Sequence, residues 1–205
     1  MSRPVEPLGA KASASSLEER LTRWERGPGA SKSRRGVAGD ICHRIKNDLQ
    51  TLANLLALAA PYSAAPADMA EALEGRVGAM SVCYTLVAEN GSPPTLDRLA
   101  QEVARRSQWR LSASLSIQND LPKIKLSLRL CSPLSLWLHE MIVNAFAHGL
   151  SENGRPQLRL SGGPSGDSFH LSVMDNGHGL PPGFDLANHA RFGLKVAQAV
   201  AKSDL

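Results

Sequence analysis

Cys42-His43-Arg44-Ile45-Lys46-Asn47-Asp48-Leu49-Gln50-Thr51-Leu52-Ala53-Asn54-Leu55-Leu56 is the stretch around which the chain is read. At about 100° per residue, Ile41, Ile45, Leu49, Leu52, Leu56 and Ala59 fall on one stripe of a helix. His43, Lys46, Asn47, Gln50 and Asn54 gather on the opposite side, so the imidazole faces water. A solvated histidine beside a lysine and amides packs nothing, and its neutral form, populated near pH 7, is a usable nucleophile. An ordinary surface histidine satisfies the same pattern, so position by itself establishes only that His43 is available.

Working outward, Asp40 is a plausible N-cap for this helix and Pro61 stops it after Ala60. A loop, Pro61 to Ala67, leads to a second helix from Asp68 to Ala88, with Leu73, Val77, Met80 and Leu86 as buried candidates and Asn90-Gly91 as its end. Two helices with one apolar stripe each cannot bury those stripes alone. A second copy of the hairpin completes a four-helix bundle, so a homodimer is expected.

The basic charge lies elsewhere. Residues 1 to 36 hold eight Lys/Arg and four Asp/Glu, whereas residues 37 to 205 hold fifteen of each. The 1–36 arm is rich in Ser, Ala, Gly and Pro and reads as a disordered, solvated tail with a short helix near Ser16 to Arg26. Trp24, Trp109 and Trp137 do not interleave with basic residues, so no nucleic-acid partner is expected. No apolar run approaches the roughly 20 residues of a membrane span, and the N-terminus is not signal-like; the expected location is cytoplasmic. Cys42, Cys83 and Cys131 match neither a disulfide framework nor a zinc knuckle and read as reduced thiols.

Ser92-Pro93-Pro94 marks a boundary, giving a hairpin domain over 37–91 and a second domain over 92–205. In the second, Thr95 to Ser107 reads as a helix capped by Thr95, and Leu111 to Gln118 as a strand with Leu111, Ala113, Leu115 and Ile117 on one face. Lys125 to Cys131 reads as a shorter strand, Leu134 to Leu150 as an amphipathic helix, and Pro156 to Ser161 and Ser168 to Met174 as strands joined by a turn over Gly162 to Asp167. The order implies an α+β fold, a two-layer sandwich.

Two motifs here carry chemistry. In His139-Glu140-Met141-Ile142-Val143-Asn144-Ala145-Phe146-Ala147-His148-Gly149, the residues Glu140, Asn144 and His148 recur every four positions on one helix face. The carbonyl of Asn144 can supply an oxygen to magnesium while phosphates and water complete the octahedron, and Glu140 can orient a coordinated water or act as a base. A polar helix edge has the same spacing. Val173-Met174-Asp175-Asn176-Gly177-His178-Gly179-Leu180-Pro181 follows a strand, where glycine permits a sharp turn and close approach of backbone to a ligand. Asp175 can accept a hydrogen bond from an exocyclic amine such as that of adenine; a plain turn explains the residues equally well. Phe192-Gly193-Leu194 then opens another helix.

Taken in order, these boxes resemble those of sensor histidine kinases. His43 to Leu56 is similar to the phosphoacceptor box of the HisKA-type subgroup, Glu140 to His148 to the N box, Asp175 to Gly179 to the first glycine box, and Gly193-Leu194 to the end of the second. His139-Glu140 also resembles the HWE subgroup, although its Trp-x-Glu is missing. The resemblance covers about residues 37 to 205. It implies a histidine-kinase ATPase (Bergerat-type) sandwich after the hairpin, with ATP and Mg2+ as cofactors and a response-regulator receiver domain as partner. His43 would take the γ-phosphate of ATP and pass it to a receiver aspartate, with Arg44, Lys46 and Asn47 supporting the phosphate. Glu140 would be the catalytic acidic residue and Asn144 the magnesium ligand. Asp175 would read adenine, and Gly177, Gly179, Gly193 and Lys195 would complete the nucleotide pocket.

Three departures set expectations of their own. Ala147 stands where the N box carries a basic residue, with Arg191 and Lys195 as substitutes. The segment between the glycine boxes, Leu180 to Phe192, is short, so the nucleotide lid is expected to be minimal. The chain stops at Leu205, before the family's last strand, so the sheet is expected to lack it. The alternative reading is a non-catalytic phosphotransfer or docking protein with a degenerate ATPase-like domain; a serine kinase or ATPase of the same nucleotide-binding superfamily is a third.

Overall fold

The computed structural model describes residues 32–59, 66–111, 116–148, 157–166 and 168–205. The arm up to residue 31, with the helix expected near Ser16 to Arg26, lies outside them. So do most of the Pro61 to Ala67 loop, residues 112–115 of the expected Leu111 to Gln118 strand, and Pro156. The chain divides into two compact units, Met1–Asn47 and Asp48–Leu205.

Helix α1 (Lys32–Ala59) runs through that division and α2 (Pro66–Asn90) follows. In the first unit, His43 and Ile45 are exposed. In the second, Leu52 and Leu55 join Met80 of α2 in the core, and the Tyr84 hydroxyl donates to Asp48 Oδ2 at 2.5 Å. The buried face of α1 is thus centred on Leu55. Of the predicted stripe, Ile45, Leu49 and Leu56 are 41%, 58% and 40% exposed, and on α2 the expected core residue Val77 is 42% exposed. A helix offers one stripe to one neighbour, and packing between α1 and α2 took the flank of the apolar surface rather than its centre. α2 ends as its sequence predicts: Gly91 adopts φ 67°, and its N–H closes onto the Val87 carbonyl at 2.8 Å.

After the boundary come α3 (Leu96–Leu111), β1 (Ser116–Asn119), α4 (Leu128–His148), β2 (Gln157–Ser165), β3 (Ser168–Asp175), the short α5 (Leu186–His189) and α6 (Phe192–Ser203). The sheet order is β1-β2-β3, with β1 parallel to β2 and β3 antiparallel to it. Leu158 and Leu160 point inward and are buried, while Arg159 points out and pairs with Asp120 at 2.7 Å. α3 packs on β1 and α4 on β3, so helices cover the sheet. The α+β class read from the sequence is the class observed.

Four predicted elements differ. α1 begins at Lys32, within the arm read as a disordered tail, so Asp40, read as its N-cap, lies inside the helix. Leu111, expected in a strand, ends α3. Lys125 to Cys131 is not a strand: Lys125 makes an isolated bridge to Thr95, and α4 begins at Leu128. The alternation of Leu126, Leu128 and Leu130 resembles a strand, but Cys131, Leu134, Leu138, Ile142 and Ala145 are buried at helical spacing, and that longer pattern sets the structure. Pro133 sits inside this helix, where it lacks an N–H to donate. Finally, Gly162 to Ser165 belong to β2, and Gly166 (φ 59°) turns the chain after it. Gly162 faces Leu171 so closely that a Cβ would lie 2.5 Å from the His170 carbonyl oxygen. β1 pairs only with Gln157 to Leu160, so Pro164 forfeits no ladder bond to it.

Candidate active site

α4 runs through the interior because it is apolar on most of its circumference: Leu134, Leu136, Leu138, Ile142 and Ala145 are all buried. Two ionisable residues share that burial, His139 at 7% and Glu140 at 4% exposure. Each has a partner on a neighbouring helix, as buried polar groups require. Ser107 of α3 lies 2.9 Å from His139 Nδ1. Arg76 of α2 grips Glu140 in a fork, Nε to Oε1 at 2.6 Å and Nη2 to Oε2 at 3.3 Å.

This fork was not among the expected site residues. Its signal lay in α2, where Arg76 follows Leu73 by three residues and precedes Met80 by four, a cation on the buried stripe. Arg76 is itself 7% exposed, and its guanidinium lies 4.9 Å from the centroid of the Phe192 ring, a cation–π contact. The next residue, Gly193, brings α6 against the carboxylate: a Cβ there would lie 2.6 Å from Glu140 Oε2. Burial pushes the Glu140 carboxyl above its ordinary range, and Arg76 opposes the shift by its charge and its hydrogen bonds. Removing one partner of such a pair costs about 3–5 kcal/mol because the other charge stays buried.

Of the expected nucleotide residues, Glu140 and Gly193 are therefore brought together, and Asn144 follows one turn along α4, half-buried. Asp175 ends β3 with its carboxylate exposed, and the Gly177 N–H donates to its Oδ1 at 2.9 Å. Gly179 and Gly183 adopt φ of 72° and 75° in the loop that follows, so this loop turns by means only glycine supplies cheaply. Lys195 is half-buried on the first turn of α6. Among the described residues no group of three His, Cys, Asp or Glu is disposed to hold a metal. A donor set of Asn144 alone suits a magnesium ion that keeps its waters and arrives on phosphate oxygens.

In the first unit, His43 is exposed, flanked by half-buried Arg44 and exposed Lys46 and Asn47. The Asn47 amide lies 3.5 Å from His43 Nδ1, a long contact one turn along the same helix. A cavity of about 210 Å³ in the second unit is lined by Asp68, Glu71, Ala72, Gly75, Ser107, His139 and Val143. None of the expected nucleotide residues lines it, so it is separate from the glycine boxes.

The HWE histidine kinase family model matches residues 40–118, which contain His43, α1 from residue 40 onward, all of α2 and α3, and most of β1. The blue-light-activated histidine kinase of Rhizobium johnstonii is 28% identical over 90% of this chain and 52% of its own length. The sensor histidine kinase PdtaS of Mycolicibacterium smegmatis is 24% identical over 98% of this chain and 42% of its own. The chain thus spans about half the length of the curated relatives it matches. Among solved structures, the blue-light activated histidine kinase of Erythrobacter litoralis superposes with a TM-score of 0.65 at 19% identity, covering 86% of this chain and 55% of that one. The histidine kinase domain from that protein superposes with a TM-score of 0.57 at 16% identity, covering 92% and 85%. These likenesses extend the resemblance across the second unit and agree with the α+β fold.

Proposed function

We propose, from its similarity to the HWE histidine kinase family and to sensor histidine kinases, that this chain is an ATP-dependent protein-histidine kinase of two-component signalling. His43 attacks the γ-phosphorus of ATP; the N–P bond forms as the bond to the ADP oxygen breaks, and the imidazole gives up its proton. The phosphoryl group then passes to an aspartate of a response-regulator receiver domain. The observation that supports this most is the coincidence, in one chain, of an exposed histidine inside the family match with Glu140 of α4 packed against Gly193 of α6, and Asn144 one turn along α4.

Phosphoryl transfer asks mainly for positioning and charge neutralisation. Arg44, Lys46 and Asn47 offer donors to the phosphate on His43. Asn144 offers its carbonyl oxygen to Mg2+, Glu140 is the acidic residue one turn away, and Asp175 accepts from the adenine amine. Gly177, Gly179 and Gly193 let backbone approach the nucleotide, and Lys195 takes the place of the basic residue absent at Ala147. The exposed Leu49, Leu56 and Val77 support homodimerisation, each hairpin covering its copy. Among the described residues no helix is long and apolar enough to cross a membrane, which is compatible with work in the cytoplasm.

Incubation with γ-labelled ATP and Mg2+ tests the proposal. The wild-type chain is expected to acquire acid-labile label that His43→Ala abolishes and Asp175→Asn sharply reduces. Label accepted from a phosphorylated receiver but never from ATP would instead make the chain a phosphotransfer protein.

A further inference from the structure

The proposed chemistry leaves Arg76 without a role, although it is buried, forked onto Glu140 and stacked on Phe192. We propose that Arg76 is the positioning residue of the nucleotide site: it fixes the Glu140 carboxylate against the start of α6 and ties the second hairpin helix to that site. The inference deepens the kinase reading and rests on it for its catalytic meaning.

The geometry carries the role in three steps. Both carboxylate oxygens are held, so Glu140 has one orientation. Gly193 closes the other side, leaving no room for the carboxylate to turn toward α6. Phe192 covers the guanidinium face, so the fork, Glu140 and the first turn of α6 form one packed group. A shift of α2 therefore moves a residue of the N box and the mouth of the second glycine box together. An arginine suits this place because its planar fork matches a carboxylate and its face stacks on a ring.

Arg76 also sets the charge. Burial drives the Glu140 carboxyl toward its protonated form, and the guanidinium opposes it. The other charged groups on elements packed against α4 are differently engaged. On α3, Glu102 pairs with Arg105, and the Arg106 side chain lies along Gly78 of α2. The carboxylate of Asp175, at the end of β3, takes the Gly177 N–H. Asp68 and Glu71 of α2 line the cavity beside His139, Glu74 is exposed on α2, and Lys195 sits on α6. The charge that acts on Glu140 is that of Arg76. Without it the carboxyl titrates at higher pH, so a base needed in ionised form loses its function on the acid side.

The test compares wild type, Arg76→Met, Arg76→Lys and Glu140→Gln in the full chain. Autophosphorylation is followed against pH, and the Glu140 carboxyl by 13C NMR. Arg76→Met is expected to move the acid limb and the carboxyl titration upward together by about one unit or more. At neutral pH it is expected to lower kcat by roughly tenfold or more, with KM for ATP changed less than about threefold. Arg76→Lys, which keeps the charge without the fork, should recover much of the loss, and Glu140→Gln should abolish the limb. If Arg76→Met does not fold, the smaller shift in Arg76→Lys carries the test. An unmoved limb and titration in the folded variants overturn the inference. If wild type forms no phosphohistidine, the kinase reading falls; the titration then decides the placement of Glu140, and an unmoved carboxyl overturns it.

Discussion

At Gly193 the absence of a side chain is a packing requirement. A methyl there would meet Glu140 Oε2, and that oxygen cannot swing away because the fork from Arg76 holds it. Gly193→Ala is therefore expected to destabilise the second unit by about 1–3 kcal/mol, the usual range for overpacking, read as a lower urea midpoint with an unchanged slope. ATP affinity should fall in the same variant. Sequence reading reached Gly193 through its box and Glu140 through its spacing on α4. It missed Arg76, because nothing local says that a cation on one helix meets an anion 64 residues later.

Among the elements, α2 and α4 form the seam on which the second unit depends, and two cysteines lie in it. Cys83 and Cys131 are 1% and 0% exposed, and the Cys131 thiol donates to the Ser127 carbonyl at 3.4 Å. The neighbouring Cys131 and burial push the Cys83 thiol upward, toward its protonated, unreactive form. Cys42, half-buried on α1, has no such cover. Alkylation followed by peptide mass spectrometry should modify Cys42 first. Cys83 and Cys131 should lag by about a thousandfold or more, reacting only through opening near the global stability, and their rates should rise together in urea. The same seam explains why Lys125 to Cys131, expected as a strand, leads into α4: three alternating leucines describe a strand locally, whereas the burial of Cys131 through Ala145 is a property of packing against α2, α3 and α6.

For the whole molecule, the exposed leucines of the hairpin set the strongest expectation. Leu56→Glu should leave the circular dichroism spectrum of the chain unchanged, since Leu56 is 40% exposed. In sedimentation the wild-type chain is expected to run as the proposed homodimer and the variant to shift toward monomer; a variant that stays dimeric would place the interface elsewhere. The sequence by itself determined the hairpin, the α+β class, the end of α2 at Gly91 and the residue types of the boxes. Each follows from period, capping or local backbone freedom, which neighbours in the chain decide. Only the tertiary structure decided which flank of α1 is buried, that Gly162 to Ser165 are strand, and that Glu140 is gripped by Arg76 under Phe192. Those depend on which surfaces meet, and burial then fixes the partner each polar group must find.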